Sequence, residues 1–169
     1  IYGPSMPLMF DVVDQKPGLS GPGENNKMLP VENYGVKMLS IGFFAEANQA
    51  IVWRGPMASK ALKQMFADVE WGELDFMLID LPPGTGDVHL SLVQDIPLDG
   101  VVIVSTPQNV ALADARKGVG MFKLPEINVP VLGIVENMSW FTPAELPKNK
   151  YYIFGQEGAK RLAEELGVA

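Results

Sequence analysis

An α/β fold, with a doubly wound and mostly parallel sheet flanked by helices, is predicted by three features of the sequence. Two apolar runs, GVVIVS at Gly100 to Ser105 and VLGIVEN at Val131 to Asn137, read as strands buried in such a sheet; the first is apolar throughout, as expected where both faces are covered. Segments of helical period stand between the apolar runs, so β and α alternate along the chain. A third apolar run, Phe76 to Ile79, delivers an aspartate into the proline- and glycine-rich loop PPGTGD, after which a helix begins.

Taken in order, Ile1 to Pro30 is rich in Pro, Gly and Asn, with turns marked at Pro17-Gly18 and Gly21-Pro22-Gly23. A long loop is expected there, with one short helical turn near Pro7 to Phe10. Val36 to Phe44 is β-rich and reads as a strand. Met57 to Val69 sets Leu62, Met65, Phe66 and Val69 at helical spacing, with Lys60 and Lys63 outward. Asp75 to Leu81 is the next predicted strand and Asp87 to Asp95 the next helix. Gly100 to Ser105 follows as a strand, and Asn109 to Phe122 as a helix with Asn109 at its N-cap. Val131 to Asn137 is another strand, and Gln156 to Leu166 a last helix before Gly167. Its Ala159, Leu162, Ala163 and Leu166 face the sheet, and Lys160–Glu164 and Arg161–Glu165 are spaced as i,i+4 pairs. There is no internal repeat, and residues 1–169 read as a single domain.

Composition narrows the function. The chain has 169 residues, enough to bury a real core, and is 47% hydrophobic, an ordinary globular value. No apolar run approaches the roughly 18–20 residues of a membrane span, and no secretory signal is recognisable, so a cytoplasmic protein is the default expectation. A net charge of −7 argues against non-specific nucleic-acid binding, which draws on Lys and Arg. The last helix carries mixed charges rather than a basic face, which argues against a membrane-surface role. The chain has no cysteine, so it forms no disulfide and offers no thiolate ligand.

The segment Leu78-Ile79-Asp80-Leu81-Pro82-Pro83-Gly84-Thr85-Gly86-Asp87 is the most informative. A carboxylate at a strand end beside an irregular loop is how a nucleoside triphosphatase presents a Mg²⁺-organising group next to a phosphate-sensing loop. Asp80 takes the Mg²⁺ role. Gly84 and Gly86 let the loop approach a phosphate, since no Cβ obstructs and unusual φ is tolerated. Asp87 has two readings, an N-cap for the helix beginning at Val88 or a carboxylate that orients water or metal. The sequence contains no G-x-x-x-x-G-K-[ST] phosphate loop. It opens at Ile1 inside what reads as the middle of a motif, so an N-terminal segment carrying that loop is expected to be missing.

Five motifs in order, IYGPSMP (Ile1 to Pro7), WRGPM (Trp53 to Met57), IDLPPGTGD, STPQ (Ser105 to Gln108) and VENMSWF (Val135 to Phe141), carry a family resemblance. The sequence resembles the Mrp/ApbC family, deviant P-loop ATPases related to MinD and ParA that act as iron–sulfur cluster carriers. The resemblance extends through IFGQEGAKRLAEELGV and so covers nearly the whole chain. It implies ATP and Mg²⁺ as ligands, a homodimer formed across the nucleotide face, slow hydrolysis, and iron–sulfur client or scaffold proteins as partners. It also implies that Asn137 contacts the adenine, which an amide with one donor and one acceptor face suits; an Asn capping a loop is the plainer alternative. Pro107 and Gln108 sit where the base or the second subunit would be met.

Arg54 reads equally as an arginine finger and as a cation stacked on Trp53 or paired with a carboxylate. His89, the single histidine, reads as a half-exposed helix residue rather than a general base. The departure from the family lies after Phe141: relatives place a C-x-x-C there, whereas Thr142 to Glu145 occupies the place here. Thr, Ala and Glu do not replace soft thiolates, so cluster binding by this chain is in doubt. The rival readings are a non-catalytic nucleotide-sensing scaffold and a MinD/ParA-like spatial organiser.

Overall fold

The computed structural model describes residues 5–21, 26–44, 55–82 and 84–169. Of the sequence motifs, Ile1 to Pro4, Trp53, Arg54 and Pro83 lie outside the described residues, as do the side chains of Asp87 and of residues 55–59. The chain divides into two compact units, Ile1–Pro83 with Asp87–Leu92, and Gly84–Gly86 with Val93–Ala169.

The first unit opens with the short helix α1 (Met6–Met9), in which Pro7 occupies the first turn, where its missing N–H costs nothing. Two small antiparallel pairs follow, β1 (Gly18–Leu19) with β2 (Met28–Leu29), and β3 (Val31–Asn33) with β4 (Val36–Met38). The second pair is a hairpin whose two turn residues, Tyr34 and Gly35, have φ of 52° and 72°. Positive φ at both is the twist-matched geometry of a two-residue hairpin turn. Strand β4 stops at Met38, and Ile41–Phe43 form a 3₁₀ turn capped by the Ser40 hydroxyl, which accepts from the Gly42 N–H. The strand expected over Val36 to Phe44 is therefore shorter. Ser40 competes for the backbone there, and Phe43 turns into the core with Val12, Val31 and Met38.

Helix α2 (Gly55–Ala67) buries Leu62 and Met65, with Val69 just beyond, and leaves Lys60 and Lys63 exposed, as the spacing predicts. Its end is tied to β2, where the Met28 N–H donates to the Asp68 carbonyl and the Glu70 N–H to the Met28 carbonyl. The expected strand over Asp75 to Leu81 does not form. Phe76 and Leu78 are 85% and 93% exposed, and no described residue pairs with the segment in a ladder. Helix α3 (Asp87–Asp95) begins and ends where the sequence places it.

The second unit is built on two parallel strands, β5 (Val101–Ser105) and β6 (Val131–Glu136), joined through helix α4 (Asn109–Phe122). Helix α5 (Gly158–Leu166) packs on β6 and on α4. Val119, Phe122, Ala159 and Leu162 fill the space between helices and sheet. The outer face was expected to be covered, yet Val102 and Val104 are 50% and 64% exposed. Helix α4 packs on β5, α5 on β6, and the two helices touch each other, while exposed residues alternate with less exposed ones along β5.

Three local expectations are corrected. Gln108, not Asn109, stands at the N-cap of α4, and it makes no side-chain cap bond. The last helix begins at Gly158, since Glu157 adopts left-handed φ of 56° and cannot be helical. Lys160 pairs with Glu157, Arg161 donates to the Gln156 carbonyl, and Arg116 makes a two-pronged bond to Glu165, so the charges of α5 serve its first turn and its neighbour α4. The helix ends at Gly167 with φ of 64°, as the glycine predicts, and the Lys123 ammonium donates to the Leu166 carbonyl at 2.7 Å. Among the described residues no helix is long and apolar enough to cross a membrane.

Candidate functional site

The predicted site residues fall in both units. In the first unit Asp80 is exposed at the end of the apolar segment, outside any helix or strand. Asp87 is the first residue of α3. Gly84 and Gly86 belong to the second unit; Gly84 has φ of +102°, a conformation L side chains rarely adopt, and among the described residues nothing lies within 4 Å of where a Cβ would stand on either. The loop thus needs glycine at position 84 for its backbone, and both glycines present bare peptide to open space.

His89 departs from expectation. It is 5% exposed rather than half-exposed, and its Nε2 lies 3.0 Å from the Pro82 carbonyl oxygen. It sits in the first turn of α3, which turns it inward.

In the second unit the parallel register aligns Ser105 with Glu136, so the segments after both strands leave the sheet at the same edge. Pro107 and Gln108 follow β5, Asn137 follows β6, and the Asn137 N–H donates to the Ser105 carbonyl at 2.7 Å. The structure therefore brings Pro107, Gln108 and Asn137 to one edge. The Asn137 side chain accepts from the Met138 N–H at 2.9 Å, holding Met138 at φ of 55°. This is the loop-capping bond of the plainer reading. It occupies Oδ1, while the donor face of the amide is a separate group.

Two residues that sequence reasoning passed over hold this edge together. Glu157 at the N-cap of α5 makes no side-chain cap bond, and the Glu136 carboxylate supplies one from outside, accepting from the Ala159 N–H at 2.7 Å. A negative group at a helix N-terminus also meets the positive end of the helix dipole. Gly158 abuts the loop after β5 so closely that a Cβ there would lie 2.5 Å from the Pro107 carbonyl oxygen. The signal for Glu136 was present, since it is the one charged residue of VLGIVE. Gly158 gave none, because its constraint comes from a loop fifty residues away.

Beyond Asn137, Phe141 and Tyr151 exchange two backbone hydrogen bonds and close a loop in which Thr142, Ala144 and Glu145 are exposed. The Lys150 ammonium lies 3.9 Å above the Trp140 ring. A cleft of about 520 Å³ opens beside this loop, lined by Ile134, Glu136, Trp140, Tyr152 and the first turns of α5. Among the described residues no three His, Asp or Glu side chains gather as a metal site.

The comparisons agree with the motif order. The profile of a ParA-type family described as NUBPL iron-transfer P-loop NTPase matches residues 1–169. The chain is 49% identical over 168 residues to the "Iron-sulfur protein required for NADH dehydrogenase, mitochondrial" of Arabidopsis thaliana, covering 99% of itself and 51% of that protein. It is 47% identical over 165 residues to the "Iron-sulfur cluster carrier protein" of Escherichia coli, covering 98% of itself and 43% of that protein. A nucleotide-binding protein of Archaeoglobus fulgidus, solved with ADP, superposes with a TM-score of 0.78 at 35% identity, over 99% of this chain and 62% of that one. The chain thus spans about half the length of the curated relatives it matches. With the family profile matched from end to end, and α/β elements superposing on a nucleotide-binding fold, this chain belongs to the NUBPL-type iron-transfer P-loop NTPases.

Proposed function

We propose that the protein binds MgATP, hydrolyses it, and uses the cycle to carry or transfer iron–sulfur clusters to client proteins, as a homodimer of a single P-loop-NTPase-type domain. The observation that carries the reading is the loop from Asp80 to Asp87. An exposed carboxylate, a glycine held at φ of +102° and the start of a helix follow one another within eight residues. The relatives named as cluster carriers, and the one solved with ADP, support it.

The donor set fits Mg²⁺, which takes hard oxygen ligands, usually one or two carboxylates with water and phosphate. Asp80 would hold it, with Asp87 as the second carboxylate able to orient water. When bound, the ion neutralises charge building on the phosphate oxygens. Gly84 and Gly86 offer backbone N–H groups to a phosphate. Asn137 reads the adenine through its amide donor, while Oδ1 holds the loop. Pro107 and Gln108 form the wall beside the base or meet the second subunit. The cluster is cargo, and its thiolate ligands must come from outside these 169 residues, which contain no cysteine.

The test is Asp80→Ala in the complete gene product. Hydrolysis of MgATP should be lost while the far-UV circular dichroism is retained, because an exposed side chain contributes little to the core. Turnover at the wild-type rate by the folded variant would remove Asp80 from the mechanism.

A further inference from the structure

His89 performs no step in the function proposed above, yet its setting is not that of a packing residue. It is 95% buried, since only 5% of its surface is exposed, and among the described residues its Nδ1 has no hydrogen-bond partner. A leucine would fill the same space without stranding a polar atom. Among the described residues the ring makes one polar contact, from Nε2 to the Pro82 carbonyl oxygen at 3.0 Å. A carbonyl oxygen only accepts, so Nε2 carries the hydrogen and Nδ1 the lone pair.

The recipient of that bond lies outside regular secondary structure. Pro82 and Pro83 lack N–H groups, and the segment from Asp80 to Pro82 belongs to no helix or strand. Gly84 then departs at φ of +102°. Such a segment does not fix itself by a backbone ladder, and the side chain from α3 supplies a tie at Pro82, two residues beyond Asp80.

We propose that His89 is a positioning residue: its Nε2–H holds the Pro82 carbonyl and so sets the backbone from which Asp80 is presented. The proposal rests on the reading of this loop as the nucleotide loop, and its test separates the two.

The amide nitrogen of glutamine reaches the place of Nε2, whereas that of asparagine reaches only the place of Nδ1. Steady-state ATP hydrolysis by the complete gene product should therefore split the two variants. H89Q should keep kcat within about twofold of wild type. H89N and H89L should lower kcat roughly tenfold, with KM for ATP moving less than about twofold, because misplaced groups act on the reacting geometry. Amide hydrogen exchange at Asp80 and Leu81 should be faster in H89N than in H89Q. If H89L does not fold, the comparison of the two amides stands, since both bury a similar polar group. Equal kcat and equal exchange in H89N and wild type would overturn the proposal, as would H89Q impaired as much as H89N. Asp80→Ala, assayed alongside, reports on the nucleotide reading. Should that variant stay active, the exchange rates still decide whether His89 ties the loop.

Discussion

Gly158→Ala should destabilise the second unit even though alanine is the better helix former. Replacing a helical glycine gains roughly 0.8–1 kcal/mol in propensity, with part of that arising in the unfolded chain. At position 158, however, the new Cβ would lie 2.5 Å from the Pro107 carbonyl oxygen, 2.8 Å from Leu112 Cδ1 and 3.0 Å from Pro107 Cα. Carbon–oxygen contacts settle near 3.3–3.6 Å, so helix and loop must part by about 0.8–1 Å. The leucine methyl can rotate away, but a carbonyl and a Cα move only with the backbone. Overpacking of this kind costs about 1–3 kcal/mol, and the upper half of that range exceeds the propensity gain, leaving a net loss of about 1–2 kcal/mol. Gly120→Ala on α4 is the control, since among the described residues nothing lies within 4 Å of the Cβ it would add. It should gain about 0.5–1 kcal/mol. Urea unfolding followed by circular dichroism measures both. A Gly158→Ala protein as stable as wild type, or raised in step with Gly120→Ala, would refute the claim that α5 is wedged against the loop after β5.

Asn137→Ala should weaken ATP binding by roughly 1–2 kcal/mol and blunt discrimination against GTP, the scale of one base-edge contact; identical calorimetric isotherms would leave the cap on Met138 as its whole role. The Arg116 guanidinium, by its hydrogen bonds, holds the Glu165 carboxyl below the ordinary carboxylate range. Its folded value is depressed, so the pair stabilises above the ordinary glutamate range and the contribution fades as pH falls through the lowered value. The urea midpoints of wild type and Glu165→Gln should accordingly converge in acid, from a gap that is small at neutral pH because both groups are exposed; a gap independent of pH would contradict this. Anaerobic reconstitution of this chain with iron and sulfide should leave its spectrum featureless between about 300 and 500 nm, for want of thiolate-to-iron charge transfer. A stable stoichiometric brown chromophore would show that other ligands suffice.

Helices α3 and α4 were legible to the residue, whereas the strand over Asp75 to Leu81 was not, and the contrast has a physical basis. A helix satisfies its own backbone within four residues, so local spacing and breakers fix its ends. A strand is satisfied only by a neighbour. The run FMLI announces that burial is favourable, but its sequence does not say what lies beside it. Phe76 and Leu78 remain exposed, with no described strand alongside. The pair β5–β6 was legible because the partner of each apolar run is another apolar run joined to it through one helix. The hairpin of β3 and β4 was missed because its turn is Tyr34-Gly35, with a bulky residue at the position where Asn or Asp is usual.

The candidate site divides along the same line between local and distant causes. The need for glycine at 84 follows from its own φ, and PPGTG announces it in the sequence. The roles of Glu136, His89 and Gly158 follow instead from what lies across the fold: the Ala159 N–H, the Pro82 carbonyl and the Pro107 carbonyl. Each of these side chains, or the lack of one, answers a backbone group left unsatisfied or crowded by an irregular loop. Irregular loops are where such groups accumulate, because no ladder claims them. Family membership obeys a different logic again. It is carried by the order of whole motifs, so it survives where Thr142 to Glu145 stand without a thiol. A fold is a frame on which sites are placed, and an exposed loop such as that of Thr142 to Glu145 is one the frame does not depend on. The absence of cysteine is therefore compatible with an intact frame and withholds from these 169 residues only the chemistry that needs sulfur.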